Sequence, residues 1–145
     1  RPLIGNRIYG CDDCQLICPW NKFASLTNEE DFSPRQQLDE ISLLTVFAWT
    51  ESEFLDKTAG SPIRRIGFDA WQRNIATALG NAPYSDEIVK DLREKLDSAS
   101  PLVAEHIEWA LAQQAQRKTQ IKVEANTRLT GRLIRSIEKG LPRDA

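Results

Sequence analysis

The sequence contains no methionine, one histidine and only three cysteines, and no stretch of it is continuously apolar over any length. Each shortage excludes something. A complete translation product begins with methionine, which is normally removed only before a small residue, so a chain starting at Arg1 is expected to be a fragment. A lone histidine excludes a multi-histidine metal centre; His106, between Val103 and Ile107, is expected to be a partly exposed packing residue. No run approaches the ~18 apolar residues of a membrane span, and the start lacks the basic, apolar, small-residue order of a secretory signal. A cytoplasmic protein is expected. Seven glycines and seven prolines are too few for a fibrous or low-complexity chain. The cysteines are odd in number and lie close together, unlike a disulfide framework.

What is present suits a packed domain. Of 145 residues 41% are hydrophobic, enough to bury a sizeable core. The net charge is only −2, yet the tail 117–145 holds eight of the nineteen basic residues. Such a distribution suits an anionic partner met by one face, and equally a solvated helix face rich in arginine; charge alone leaves both open.

Residues 1–23 show little periodicity and carry every cysteine, so an irregular segment is expected there. Residues 28–37 are polar and include a proline, as in a surface loop or crossover. Helices follow. Thr50 and Glu53 form a capping box, in which hydroxyl and carboxylate satisfy backbone N–H groups at a helix start. Ser61-Pro62, Ser85 and Ser100-Pro101 read as further starts. Phe68, Trp71, Ile75, Ala78 and Leu79 make an apolar helix stripe that Gly80-Asn81 is expected to end in left-handed conformation. Ile88, Val89, Leu92 and Leu96 make a second stripe, Val103, Ile107, Ala110 and Leu111 a third. A last helix has Leu129, Leu133, Ile134 and Ile137 on one face and Arg128, Arg132, Arg135 and Lys139 on others. Shifting the first stripe by 32 positions lays Ile75 on Ile107, Ala78 on Ala110 and Leu79 on Leu111. That suggests HEAT-like stacked helices, although repeats of that class usually run to about 40–47 residues and a plain bundle matches as well. The expected class is mainly α, in three parts: an irregular segment 1–27, a HEAT-like helical domain 28–116, and a basic tail or helix 117–145.

The chemistry lies in Cys11-Asp-Asp-Cys14-Gln-Leu-Ile-Cys18-Pro19. Cys-x-x-Cys lets two thiolates grip one metal centre from a single turn, and a cysteine-proline shortly after is how bacterial ferredoxin runs end. In those runs the cysteine before proline ligates the other cluster of a pair. Cys11 and Cys14 are thus read as ligands of one [4Fe–4S] cluster and Cys18 of a second, the remaining ligands lying outside this chain. Three alternatives stand beside this reading. A zinc half-site would need a second cysteine pair; a thioredoxin-like redox pair would need a βαβ setting; unreactive buried thiols sit awkwardly with Asp12-Asp13 between two of them. The tryptophans are expected core anchors, except that Trp20, directly after Cys18-Pro19, is placed to shield a cluster from water. Arg64-Arg65, near a helix start, suit a phosphate contact or pairing with the acidic stretch before them.

Several stretches taken together resemble the epoxyqueuosine reductase family. They are Gly5-Asn-Arg-Ile-Tyr-Gly-Cys11 through Cys18-Pro-Trp20-Asn, Gly60-Ser-Pro-Ile-Arg-Arg-Ile-Gly67, Trp71-Gln-Arg-Asn-Ile-Ala-Thr-Ala-Leu-Gly80-Asn, and the ending Ile137-Glu-Lys-Gly-Leu-Pro-Arg-Asp-Ala145. The chain resembles that family's C-terminal portion. The resemblance implies an enzyme that reduces epoxyqueuosine in the tRNA anticodon to queuosine with cobalamin and two [4Fe–4S] clusters. It further implies a ferredoxin-like origin for the cysteine segment, an electron donor, and a cobalamin-binding N-terminal domain absent from this sequence. No catalytic residue is expected here, and the fragment alone is expected to be inactive, without complete clusters. Arg64, Arg65, Arg73, Arg128, Arg132 and Arg135 become candidate tRNA phosphate contacts. The competing function is a non-catalytic helical module that binds RNA or protein, its cysteines holding zinc or nothing.

Overall fold

The structure is a computed structural model that describes residues 1–25, 27–29, 38 and 41–140, with side chains through 135. It is mainly helical, with no strand among the described residues. The irregular N-terminal segment holds a 3-10 turn at Pro2–Ile4, helix α1 at Asp13–Leu16 and a 3-10 turn at Pro19–Phe23. Helices α2 (Leu43–Ala48) and α3 (Glu51–Lys57), a 3-10 turn at Pro62–Ile66, α4 (Phe68–Asn81), α5 (Asp86–Leu96) and α6 (Pro101–Gly140) follow. Each 3-10 turn opens on a proline, whose fixed φ suits a first turn and whose missing N–H costs nothing there. The expected loop at 28–37 lies, from residue 30 on, outside the described residues, as does the ending 141–145.

The expected caps form at Thr50, Ser61 and Ser85; the start at Ser100-Pro101 is also found, but the Ser100 hydroxyl is buried without a hydrogen-bond partner. In α3 the Glu53 carboxylate accepts from the Thr50 backbone N–H at 2.8 Å, and the Thr50 hydroxyl accepts from Glu53 N–H at 3.3 Å. Those bonds from Thr50 hold the Glu53 carboxyl below the usual carboxylate range. Ser61 and Ser85 cap their turns. Helix α2, capped by Ser42, has no counterpart in the sequence reading: six residues are too few to display a period.

Helix α4 is the centre. One side of it meets α2 and α3, where Trp71 stacks on Trp49 at 5.9 Å and touches Phe54, itself wholly buried. Its other side packs on α6, burying Ile75, Ala78 and Leu79 with Ile107 and Ala110. The 32-residue match in the sequence therefore joins two helices that face each other across one core. Gly80 is not the left-handed stop expected: it is helical, and α4 ends in extended conformation at Ala82. Its missing side chain has another cause, because a Cβ there would lie 2.5 Å from the Trp109 ring and 2.9 Å from the Ala110 backbone.

Two side chains from distant parts of the chain tie the helix ends. Gln114, fully buried on α6, donates through Nε2 to the carbonyls of Leu79 (2.9 Å) and Ala82 (3.1 Å) and accepts from Ser85 N–H at 3.2 Å. One amide thus ends α4 and helps to start α5. Lys95 of α5 donates to the Phe47 carbonyl at the end of α2 (3.0 Å) and lies over the Phe47 and Phe68 rings. Burial pushes its ammonium pKa down.

Helix α6 runs unbroken for 40 residues where the sequence suggests two helices, and the boundary at 116/117 falls inside it. From Lys118 to Arg135 every described residue except Gly131 is exposed. Leu129, Leu133 and Ile134, read as one face of a last helix, are 51–58% exposed. At 1.5 Å per residue the stretch after Lys118 projects about 30 Å beyond the body.

Candidate functional site: the cysteine turn and its seat

The N-terminal segment lies against α4 and is bound there through its backbone. Asn81 donates from Nδ2 to the Gly5 carbonyl (2.8 Å) and the Arg1 carbonyl (3.2 Å); Asn74 donates to the Ile8 carbonyl at 2.7 Å. Tyr9 donates from its hydroxyl to the Pro62 carbonyl at 3.2 Å. Arg1 pairs with Glu105 of α6 and lies over the Trp109 ring; its hydrogen bond and charge hold the Glu105 carboxyl below the usual carboxylate range. The segment therefore runs along α4 from Asn81 to Asn74 and brings Cys11 to the middle of the helix.

The cysteines occupy the turn that follows. Cys11 lines a cleft of about 320 Å³ with Leu3, Ile4, Arg7, Ile8, Gly10 and Asn74. Asp12 adopts φ 53°, the left-handed region that aspartate tolerates better than most residues, and reverses the chain into α1. Cys14 lies in α1, and Cys18 precedes Pro19 at the start of the next turn. Asp13 pairs with Arg7 at 2.6 Å, and Asn21 donates to the Gln15 carbonyl near the end of α1. All three thiols are free; Cys11 and Cys14 are exposed and Cys18 half-buried. Among the described residues no three metal-binding side chains converge on a point. Around the thiols Leu16, Ile17, Trp20 and Phe23 are 66–81% exposed, so this face is apolar as well as thiol-rich. Trp20 is thus not a core anchor, whereas Trp49 and Trp71 are buried.

The donor set suits a share of cubane clusters and not a whole one. A [4Fe–4S] centre takes four thiolates, and the chain has three cysteines in all. Cys11 and Cys14 are exposed and Cys18 is partly so, and none of the three belongs to the buried core, so added ligands and a cluster can reach them without opening it.

The candidate arginines fall into two groups. Arg64 and Arg65 are exposed in the turn before α4, beside the Tyr9 contact. Neither forms a salt bridge among the described residues. Arg73, half-buried, donates to Asn74 Oδ1 at 3.1 and 3.0 Å. Arg128, Arg132 and Arg135 are exposed on the projecting part of α6, past the opposite end of α4. Helix α4 alone separates the groups by about 21 Å. His106 is half-buried, with Nδ1 2.9 Å from the Leu102 carbonyl, as a packing residue would be.

The sequence reading missed Asn74, Asn81 and Gln114, the polar residues that set the segment and the helix ends. Asn74 and Asn81 stand seven apart and so share one helix face, a spacing visible in the sequence but without a partner to interpret it. No helix among the described residues is long and apolar enough to cross a membrane.

Over its full length the chain is homologous to curated proteins named epoxyqueuosine reductase. It is 60% identical to that of Yersinia pestis, 58% to that of Escherichia coli K12 and 53% to that of Vibrio cholerae. All of this chain is covered in each case, but only 35%, 38% and 37% of the respective relatives. The chain thus spans a little over a third of the length of the curated relatives it matches. No family model matches it, and no solved structure matches at a significant level.

Proposed function

We propose, from a chain homologous along its whole length to epoxyqueuosine reductases, that it is the cluster-supporting and tRNA-holding part of such an enzyme. The enzyme would reduce epoxyqueuosine in a tRNA anticodon to queuosine. The observation that carries the reading is the Cys11, Cys14, Cys18-Pro19 run, seated as an exposed turn on a helical body. Cys11 and Cys14 would hold one [4Fe–4S] cluster and Cys18 another, the other ligands coming from a ferredoxin-like remainder. When bound, the clusters and cobalamin supply the electrons for the reduction. This chain's residues do the rest of the local work. The three thiolates fix where the clusters sit, and Trp20 with Phe23, 5.7 Å apart, offers an apolar wall against water.

The helices of 41–116 would act as HEAT-like stacked pairs that present the arginines. Arg64, Arg65 and Arg73 would meet phosphates close to the cysteines, and Arg128, Arg132 and Arg135 phosphates farther along the RNA. An RNA helix is recognised through shape and backbone, and two separated basic groups suit a ligand of that length.

Iron, sulfide and cobalt analysis of the whole protein, purified without oxygen and assayed on epoxyqueuosine-containing tRNA, tests the reading. A brown protein with about eight irons, matching sulfide and turnover is expected. One zinc per chain with no sulfide would overturn it in favour of the non-catalytic module. This chain alone is expected to show no turnover.

A further inference from the structure

We propose that Asn74 and Asn81 are positioning residues that fix the register of the cysteine segment, and through it the place of Cys11 in its cluster; this rests on the reading of the cysteines as cluster ligands. The two amides stand seven residues apart on α4, a rise of about 10.5 Å. The carbonyls they hold, Gly5 and Ile8, are three residues apart, a span that reaches only about 10–11 Å when fully extended. The stretch between them is not extended, turning at Gly5 and Asn6 and bending at Ile8, and it is held at both ends. A slip of one residue takes both carbonyls away from their amides.

Asn74 is itself prevented from turning over. Arg73 donates twice to its Oδ1, which leaves Nδ2 aimed at the Ile8 carbonyl at 2.7 Å; a flipped amide would present oxygen to oxygen and nitrogen to guanidinium. The same amide lines the cleft that holds Cys11, only three residues beyond Ile8. Cys18 lies farther along, past α1, whose end is held separately by Asn21. The effect of Asn74 belongs to the cluster that takes Cys11 rather than to the one that takes Cys18.

The test uses the whole enzyme with Asn74→Asp, which keeps the size, removes the donor and sets a carboxylate against a carbonyl. Electron paramagnetic resonance of the reduced protein is expected to shift one cluster's signal and leave the other's in place. Iron release to a chelator from the shifted cluster is expected to quicken about tenfold, the low end for partners one shell beyond the ligands. Should that variant fail to assemble, Asn81→Asp acts farther from Cys11 and is expected to give a smaller shift of the same cluster. In the 145-residue chain itself, the nuclear magnetic resonance signals of the Tyr9 and Gly10 amides should shift in Asn74→Asp while the melting of the helices is unchanged. Spectra identical to wild type, or an equal response of both clusters, overturn the proposal alone. A wild-type protein without iron overturns the cluster reading and the proposal with it.

Discussion

At Gly80, helix propensity and packing pull in opposite directions. Alanine in a helix interior is favoured over glycine by about 1 kcal/mol. Against that, the added Cβ would lie 2.9 Å from the Ala110 backbone, which no rotamer change relieves, and overpacking of this kind costs about 1–3 kcal/mol. Gly80→Ala is therefore expected to lower stability by up to about 2 kcal/mol in chemical denaturation, and a rise would show that α4 and α6 can part. Gln114→Leu keeps the bulk but strands the Leu79 and Ala82 carbonyls and the Ser85 N–H, a loss of about 2 kcal/mol by the same measurement. Single residues were the hardest scale to read in the sequence. A glycine followed by asparagine at the end of an apolar stripe looks like a helix stop, and only the neighbouring helix reveals that Gly80 is small for contact. The three cysteines were legible because their spacing alone carries meaning, whereas Asn74 and Gln114 act on main-chain atoms 66 and 35 positions away.

Short-range chemistry made the elements easier to read. The capping box at Thr50 and Glu53 and the cap at Ser85 lie within a few residues of what they satisfy, so the sequence displays them whole. Thr50→Ala should cost about 1 kcal/mol. The Glu53 carboxyl is held below its usual range in the fold, so its contribution is complete above the ordinary carboxylate pKa. That contribution disappears as the pH falls through the lowered value. Melting of wild type and Glu53→Gln across that acidic range should show a difference that shrinks to nothing at the low end; a constant difference would mean that ionisation plays no part. Where the sequence misled was length. Residues 101–140 contain no proline after Pro101 and a single glycine, Gly131, before their end, and two separate apolar stripes suggested two helices where one persists.

For the whole molecule, the decisive feature is that α6 outlasts the body it packs on. Among the described residues its last tertiary ties are Arg117 to the Gly80 carbonyl and Lys118 to Asp86. A chain ending after residue 121 is therefore expected to melt at the same temperature as the complete one, within about 2 °C. If the projecting arginines meet phosphates, the same truncation should weaken binding to tRNA and flatten its salt dependence by about one unit for each arginine–phosphate pair removed. An unchanged slope would leave Arg64, Arg65 and Arg73 as the only basic candidates. The basic tail was legible as composition. Its separation from Arg64 and Arg65 was not, because the sequence does not say that α6 meets the C-terminal end of α4 at Arg117 and continues past it.

The grip on the N-terminal segment bears on how this stretch can vary. Asn74 and Asn81 hold main-chain oxygens, which every residue type carries. Replacement of Asn6 or Ile8 by another residue leaves these anchors intact, whereas one residue inserted or deleted between Gly5 and Cys11 displaces every thiol from its seat. The two anchors thus constrain the length of the stretch, independently of what its side chains require.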